Sequence, residues 1–264
     1  MRSEACRTVE NPDLSPADAR RFAVATSLLI PMVLSFVAAF VDVVCYLGVF
    51  STFVAFITGT IIIMFTELAE PSGASLNKIT ALPIFLAALS VWTLLIKTMR
   101  ARGYQVILHH ILLVQAILLA LTMVLANRFA PLPDPDNWRT VAVTGLAVFA
   151  MALQTTAMAM LLHFHTPTTM MTGNTTALMV HVWNAGSAAR YWAGNPPKLP
   201  RSALIRRYAA AIVGFLSGGI AGAVGWTIAG FLALAIPVGV LAGFAAIIYA
   251  AGWNPPSDRA QQQR

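Results

Sequence analysis

Residues 166–180, "TPTTMMTGNTTALMV", decide how this sequence is interpreted, because six threonines and an asparagine interrupt an apolar stretch. Residues 51–65, "STFVAFITGTIIIMF", repeat the plan about half a sequence upstream. Each stretch opens with Ser or Thr, residue types that start helices, and then contains a Thr-Gly pair followed by a polar residue. Because glycine weakens a helix and permits close approach, we predict two short helices, each with a glycine break about two turns in.

The composition around these stretches is that of a membrane protein. Of the 264 residues, 58% are hydrophobic and only 10% are charged, whereas about a quarter of a soluble domain is charged. The net charge of +7 fits the excess of Lys and Arg in cytoplasmic loops. Without a basic stripe interleaved with aromatic residues, nucleic-acid binding is not expected. Cys6 and Cys45 predict neither a disulfide framework nor a metal site, and we expect no cofactor.

The apolar residues form eight segments, which are 22–48, 52–68, 79–98, 104–126, 140–162, 167–182, 208–227 and 230–251. Each half has the order long, short, long, long, and this match indicates an internal repeat, as in many transporters. We therefore predict an all-α polytopic membrane protein with a two-fold internal repeat. Its parts are a cytoplasmic N-terminal tail (1–21), a first repeat (22–126), a linker loop (127–139), a second repeat (140–251) and a C-terminal tail (252–264).

The two short segments decide the topology. A helix over the 17 residues 52–68 is about 25 Å long, slightly less than a ~30 Å hydrocarbon core. If both are re-entrant or short, the chain has six full transmembrane helices and inverted halves; the alternative is eight spans with parallel repeats. The number of Lys and Arg on each side does not separate the two. The compact basic turn "KTMRARG" (97–103) is typical of a cytoplasmic loop and favours six, with the N-terminus cytoplasmic.

Two polar residues in the long segments are candidates for a substrate or ion pathway. Asp42 is the only acid in the apolar part of the first segment, and a carboxylate at the bilayer centre costs about 3 kcal/mol. It either carries a proton or cation, or bonds to a neighbouring helix cap near the end of the segment. Gln154 has the matching position in the second half and cannot titrate, so an interhelical hydrogen bond is its simpler role.

The Thr-Gly motifs have a functional and a packing interpretation. Two helix breaks that meet near the midplane form a binding site in many transporters, whereas small residues also serve close helix packing. For the site we predict Thr58, Gly59 and Thr60 from the first motif; the second motif adds Thr168, Thr172, Gly173, Asn174 and Thr175. Together with Thr176, the threonines of the second motif form one polar helix face.

A third pattern is a stripe of Gly214, Gly218 and Gly222, spaced at intervals of four. Such a stripe packs helices closely, either inside one chain or between two copies in a homodimer. The histidines stand near segment ends, where anchoring or capping is their expected role, and no Ser-His-Asp or Glu-x-x-His arrangement appears. The sequence therefore does not predict an enzyme.

Two blocks of this sequence resemble the YoaK family of bacterial membrane proteins, whose domain has no assigned function. "FVDVVCYLGVFSTFVAFITGT" (40–60) is similar to the first block, where an Asp precedes a Thr-Gly-Asn-type motif. "LQTTAMAMLLHFHTPTTMMTGN" (153–174) is similar to the second, with Leu-Gln, Pro-Thr-Thr and Thr-Gly in order. The family pattern has Asn in the first motif and Thr in the second, and here Thr60 and Asn174 exchange them. The resemblance implies a bacterial inner-membrane protein and no particular substrate.

The function that these features predict is transport. We expect a secondary-transporter-like or permease-like protein for a small solute or ion, in contact with the lipid bilayer and proton-coupled through Asp42. The alternative is a membrane scaffold or accessory subunit without transport, in which the Thr-Gly motifs are tightly packed.

Overall fold

The computed structural model describes residues 16–71, 73–102, 108–162, 168–169, 171–183 and 201–250; the side chains of 16–27 and 201 are not described. These residues form helices α1 (Pro16–Gly48), α2 (Ile57–Leu68), α3 (Leu76–Ala101), α4 (Leu108–Phe129), α5 (Trp138–Met160), α6 (Met171–Trp183), α7 (Arg201–Ala229) and α8 (Ala235–Ala250). A short 3-10 helix, Gly230–Leu234, joins the last two. The described part of the chain contains no strand, so the all-α prediction is confirmed.

Among the described residues, five stretches are long and apolar enough to cross a membrane: Leu28–Gly48, Leu76–Ala101, Leu108–Phe129, Trp138–Met160 and Ser202–Ala250. The last stretch combines α7, the 3-10 helix and α8. Helix α2 is apolar but has only 12 residues, which corresponds to about 18 Å. A polytopic membrane protein with additional short helices is therefore the architecture of this chain.

The two short helices begin later than the sequence predicts. Helix α2 begins at Ile57 and α6 at Met171, so Thr58 and Thr172 are the second residues of their helices. The predicted glycine break two turns into each helix is wrong, and Ser51 does not start a helix. The reason is that 49–56 form a loop whose backbone is bound by side chains of other elements. Residues 163–167, where the second predicted helix start falls, lie outside the described part.

Two pairs of helices run parallel and in close contact. Gly214 of α7 faces Met32 of α1, and Gly222 of α7 faces Phe40 of α1. Residue numbers therefore increase in the same direction along both helices, so α1 and α7 are parallel. In the other pair, the indole nitrogen of Trp92 on α3 donates to the carbonyl oxygen of Phe149 on α5 at 3.1 Å. Further along both helices, Arg100 on α3 reaches Met160 at the end of α5.

Helices α4 and α8 pack against each other in opposite directions. The ring of His109, in the first turn of α4, lies 5.2 Å from the ring of Tyr249, in the last turn of α8. Six crossings make α4 and α8 antiparallel, whereas eight crossings would make them parallel. The packing of α4 on α8 therefore agrees with the six-helix arrangement.

The chain enters and leaves α2 at the same end of the bundle. Before α2, the hydroxyl of Thr52 accepts a hydrogen bond of 2.9 Å from Asn77, at the start of α3. After α2, the carboxylate of Glu67 forms an ion pair of 2.6 Å with Lys78. Both α3 residues are buried in the first turn of that helix. Helix α2 therefore does not carry the chain across the bundle, which is the geometry of a re-entrant helix.

The glycine stripe of α7 is used inside the chain. A Cβ atom on Gly214, Gly218 or Gly222 would come within 3 Å of a carbonyl oxygen of α1. Helix α1 therefore covers these three glycines within the chain. Of the two roles suggested for the stripe, the structure shows packing of α7 on α1, and the homodimer stays a prediction.

Candidate functional site

Asp42 binds the loop that precedes α2. Its Oδ1 accepts hydrogen bonds from the backbone N–H groups of Val54 and Ala55, both at 2.7 Å, and its Oδ2 accepts one from Phe56 at 2.9 Å. Only 5% of Asp42 is exposed. A carboxylate in this position also faces the positive end of the α2 dipole. Asp42 thus has the geometry of the capping interpretation, in which a buried carboxyl group fixes the backbone at a neighbouring helix start.

The last residue of the first Thr-Gly motif closes the same loop. The hydroxyl of Thr60 accepts a hydrogen bond from the N–H of Phe53 at 2.8 Å and donates one to the carbonyl oxygen of Phe53 at 2.7 Å. Phe50 and Ser51, earlier in the loop, have φ angles of 48° and 58°, a left-handed conformation that is unfavourable for residues with a side chain. Asp42 and Thr60 together hold the backbone of 53–56, directly after this unfavourable turn.

The other two residues of the first motif differ in their exposure. Thr58 is exposed, whereas Gly59 is buried. A Cβ atom on Gly59 would overlap the ring of Phe56 and lie 2.8 Å from the ring of Phe53. The glycine is therefore needed for close packing of the loop, and no opening for a solute is described beside it.

An ion pair that the sequence interpretation missed, between buried Lys78 and partly exposed Glu67, fastens α2 to α3. The side chain of Lys78 is 1% exposed and contacts Glu67 Oε1 at 2.6 Å, while Glu67 Oε2 accepts bonds from the backbone N–H and hydroxyl of Ser75. Burial opposes ionisation of Glu67, but the hydrogen bonds from Lys78 and Ser75 outweigh it, so the pKa of this carboxyl is lowered. The signal in the sequence was a lysine next to an apolar segment, which resembles an ordinary loop charge.

Gln154 is the centre of a second polar cluster, here called the inner cluster: Leu34, Ser35, Gln115, Gln154 and Thr168. The amide nitrogen of Gln154 donates to the carbonyl oxygen of Leu34 at 2.9 Å and to the hydroxyl of Thr168 at 3.1 Å. Its amide oxygen accepts a bond of 2.8 Å from the side chain of Gln115. Gln154 is 1% exposed, and it joins α1, α4 and α5 to the segment before α6.

The second Thr-Gly motif is more open than the first. Asn174 is buried, and its amide lies 3.8 Å from the sulfur of Met171. Thr172, Gly173 and Thr175 are exposed, and no described residue lies within 4 Å of a Cβ atom built on Gly173. The predicted polar face of threonines is therefore divided, since Thr168 is buried in the inner cluster while the others point outward.

The structure places the predicted site residues in two clusters at different depths. Asp42 lies six residues before the end of α1, and Gln154 lies six residues before the end of α5. The carbonyl that Gln154 binds belongs to Leu34, eight residues before Asp42, a separation of about 12 Å along the helix. Asp42, Gly59 and Thr60 thus form an outer cluster, separate from the inner cluster around Gln154. The single central site expected from the sequence is divided into these two levels.

An open cavity lies at the end of α1, beside the start of the loop that precedes α2. Its volume is about 620 Å³, and its lining includes Tyr46, Asn127, Trp226 and Phe231. None of the predicted site residues lines it. Within the described ranges, no group of three or more His, Cys, Asp or Glu residues is arranged to hold a metal ion.

Comparison with known proteins gives one family and no characterised relative. No curated protein and no solved structure matches the chain significantly. Residues 30–247 match the family described as "Protein of unknown function (DUF1275)". The match begins in α1, ends in α8 and includes both Thr-Gly motifs, in agreement with the resemblance to the YoaK family. The chain therefore belongs to the DUF1275 family of proteins of unknown function.

Proposed function

We propose that this protein is a secondary-transporter-like or permease-like protein for a small solute. The observation that supports this most is α2, which enters and leaves at one end of the bundle and begins beside Asp42 of a spanning helix. Short helices whose N-termini lie inside the bundle form the binding sites of many secondary transporters. The proposal assigns no enzymatic reaction and no nucleic-acid partner to the chain.

The proposal includes an inverted repeat in which α1–α4 correspond to α5–α8. Under this correspondence α1 matches α5 and α7 matches α3. The parallel contact between α1 and α7 therefore requires an equivalent parallel contact between α5 and α3, and the structure contains both contacts. Helix α2 returns beside the start of α3 through Lys78, and α6 returns beside α7, where the His181 and Tyr208 rings stack at 5.7 Å. These matched contacts support the repeat and, with it, two half-helices that approach from opposite ends of the bundle.

The proposed location is the bacterial inner membrane with the N-terminus in the cytoplasm. The end of α3 carries Lys97, Arg100 and Arg102, whereas the opposite ends of α3 and α5 lie beside the acids Glu67 and Asp136. Because cytoplasmic loops collect basic residues, the end of α3 is assigned to the cytoplasm.

Proton coupling through Asp42 stays a prediction. All three hydrogen bonds that the structure describes for Asp42 come from N–H donors, and donors favour the charged carboxylate. A transport cycle that protonates Asp42 would therefore weaken its hold on the loop before α2, because a neutral carboxyl group is a poorer acceptor. The proposal accordingly gives Asp42 the role of holding α2 and places solute contact in the inner cluster.

The second candidate function is a membrane scaffold or accessory subunit without transport. The closed contacts of the first motif favour it, since Thr60 binds the loop and Gly59 packs against aromatic rings. The open surface beside Gly173 favours transport instead.

The test is flux in proteoliposomes that contain the purified chain. Glycerol, erythritol, urea, alanine, glucose and acetate are offered with and without an imposed pH gradient, and entry is followed by light scattering and by an internal pH dye. We expect saturable entry of at least one solute above that of protein-free liposomes, and a reduction in Gln154→Leu.

Thr122→Val is the matched control, because Thr122 is equally buried but bonds only to its own helix, at Leu118. If the folded protein moves none of these solutes, the scaffold function is favoured. If Asp42→Asn still concentrates a solute that the wild type concentrates with the pH gradient, coupling through Asp42 is wrong.

A further inference from the structure

The cavity at the end of α1 has the volume of a site for a small molecule. Its volume of about 620 Å³ lies within the roughly 300–1,000 Å³ of ligand pockets. The ends of α1, α4 and α7 surround it, together with the 3-10 helix and the start of the loop before α2. Among the lining residues that the structure describes, none has a charged side chain. The cavity therefore has room for a small molecule but offers it no ion pair.

Four aromatic side chains line this cavity: Tyr46, Phe50, Trp226 and Phe231. The rings of Trp226 and Phe231 lie 5.1 Å apart, with their planes at 84°. Both pack against Gly48, where a Cβ atom would lie 2.6 Å from Trp226 and 2.7 Å from Phe231. Tyr46 is exposed, and Phe50 and Trp226 are half-buried, so a ligand can reach them. Because the face of an aromatic ring carries partial negative charge, such a cluster suits a positively charged ligand.

Two helices end at the cavity without a basic residue to compensate their dipoles. Gly48 is the last residue of α1 and Ala229 is the last of α7, and both line the cavity. The last turn of neither helix contains a basic residue, and the C-terminal end of a helix carries about half a negative charge. Helix α4 also ends here, and its Arg128 compensates that end but is exposed and does not line the cavity. The helix ends therefore favour a cation over an anion.

The lining also restricts the kind of cation. Inorganic cations and primary ammonium groups are strongly hydrated, and proteins replace that water mainly with charged or carbonyl oxygens. No carboxylate is among the described lining residues, and Asp42, one turn before Tyr46, already binds the loop before α2. A quaternary ammonium group spreads its charge over methyl groups, donates no hydrogen bond and is recognised by aromatic cages. Such a group therefore fits this cavity.

We propose that the cavity binds a small soluble quaternary ammonium compound, with choline as the test case, through the rings of Tyr46, Phe50 and Trp226. Asn127, which is exposed and lines the cavity, can form a hydrogen bond with a hydroxyl group on such a compound. Since Thr52 bonds to the start of α3, the cavity lies at the end of the bundle opposite the basic end of α3. The site goes beyond the proposed transport function, because binding there requires no flux.

Choline binding in detergent tests the site. The purified chain in dodecyl maltoside is titrated with choline and with dimethylbutanol, its uncharged isostere, and saturation-transfer-difference NMR gives the affinity of each. We expect the wild type to bind choline more tightly than dimethylbutanol. Removal of one ring in Tyr46→Leu or Trp226→Leu should weaken choline binding about two- to thirty-fold.

Two matched variants separate the rings from other effects. Tyr46→Phe keeps the ring and removes only the hydroxyl, so its choline affinity should stay near that of the wild type. Tyr249→Leu removes an exposed tyrosine ring at the opposite end of the bundle, beside His109, and should also leave the affinity unchanged. Because Tyr46 is exposed, Tyr46→Leu decides the matter if Trp226→Leu does not fold.

Three results would overturn the site. They are no choline signal from the folded wild type, equal affinity for choline and dimethylbutanol, and equal choline affinity in the wild type and Tyr46→Leu. Choline binding without flux of any solute in proteoliposomes retains the site and contradicts only the transport function.

A phospholipid headgroup is another source of a quaternary ammonium group. The titration is therefore repeated in nanodiscs of phosphatidylglycerol and in nanodiscs of phosphatidylcholine. Choline binding should persist in both lipids. Its loss in phosphatidylcholine alone would assign the cavity to the headgroup and overturn the soluble ligand.

Discussion

At the scale of the residue, a carboxylate inside a membrane helix needs compensation, and Asp42 obtains it from three backbone N–H groups. In Asp42→Asn the remaining oxygen can still accept the hydrogen bonds from the N–H groups of Val54 and Ala55. The new NH₂ group, however, is a donor that faces another donor, the N–H of Phe56. We expect a loss of about 1.5–3 kcal/mol, measured by thermal unfolding in detergent.

The control for Asp42 is Asp136→Asn, which changes an exposed carboxylate that accepts one N–H bond, from Leu76. It is expected to have little effect. Equal unfolding temperatures for Asp42→Asn and Asp136→Asn would contradict the role assigned to Asp42.

Thr60 supplies a second residue-scale prediction. Thr60→Val keeps the shape of the side chain but leaves the N–H and the carbonyl oxygen of Phe53 without their bonds to it. We expect a loss of about 1–3 kcal/mol and faster hydrogen exchange in 51–56. Thr66→Val is the control, because Thr66 is exposed on the same helix and its hydroxyl bonds only to the carbonyl oxygen of Ile63. This variant should change neither the stability nor the hydrogen exchange of 51–56. Unchanged exchange in Thr60→Val would show that the loop does not depend on this hydroxyl.

The sequence revealed some of these residues and concealed others for a physical reason. Asp42 was noticed because a charge in an apolar run is costly, and the capping interpretation anticipated its role. Gln115 has no charge and no motif, and its importance depends on contact with Gln154, 39 residues away. Such long-range partners follow from helix packing, which residue types alone do not determine.

At the scale of the element, the contact between α1 and α7 depends on which glycine faces inward. Gly218 faces the backbone of Phe36, whereas no described residue approaches a Cβ atom on the adjacent Gly219. Gly218→Ala should therefore force the helices apart and lower the stability by about 1–3 kcal/mol. Gly219→Ala should leave it unchanged or raise it by up to about 1 kcal/mol. Unfolding of both variants in detergent checks this, and an equal response of the two would contradict the helix contact.

The fastening of α2 to α3 predicts a pH dependence. The pKa of Glu67 is lowered in the folded protein, so its contribution to stability is complete above the ordinary carboxyl pKa. That contribution is lost as the pH falls through the lowered value, because protonated Glu67 leaves the buried charge of Lys78 unpaired. Unfolding temperatures between about pH 3 and pH 7 should therefore fall less in the double variant Glu67→Gln/Lys78→Met than in the wild type.

The matched control for this pair is Glu70→Gln, an exposed change in the same turn, which should follow the wild-type profile. Parallel profiles for the wild type and the double variant would mean that another group governs the acid response.

The helices themselves followed from apolar segment lengths, but the start of α2 did not. Helix-start residues at 51–52 predicted a helix there, and the backbone instead turns through left-handed Phe50 and Ser51. The cause is tertiary, since Asp42 and Thr60 satisfy the N–H groups that the missing helical turn would have used. Local capping rules therefore failed where side chains from another helix took over the same bonds.

At the scale of the whole molecule, the direction of packing decides between six and eight crossings. Antiparallel α4 and α8, with α2 returning to its starting end, place Ser51 and Ala69 at one end of the bundle. Ala101, at the end of α3, lies at the other. Eight spans would instead place Ser51 and Ala101 on one side and Ala69 on the opposite side.

Single cysteines at these three positions, in a Cys6→Ser/Cys45→Ala background, distinguish the two arrangements. An impermeant maleimide added to intact cells should label Ser51→Cys and Ala69→Cys alike, because both positions are assigned to the periplasmic end. Ala101→Cys should react only after the membrane is opened, since the basic end of α3 is assigned to the cytoplasm. Labelling of Ala101→Cys together with Ser51→Cys, while Ala69→Cys stays protected, would mean that α2 crosses the bilayer and the repeats are parallel.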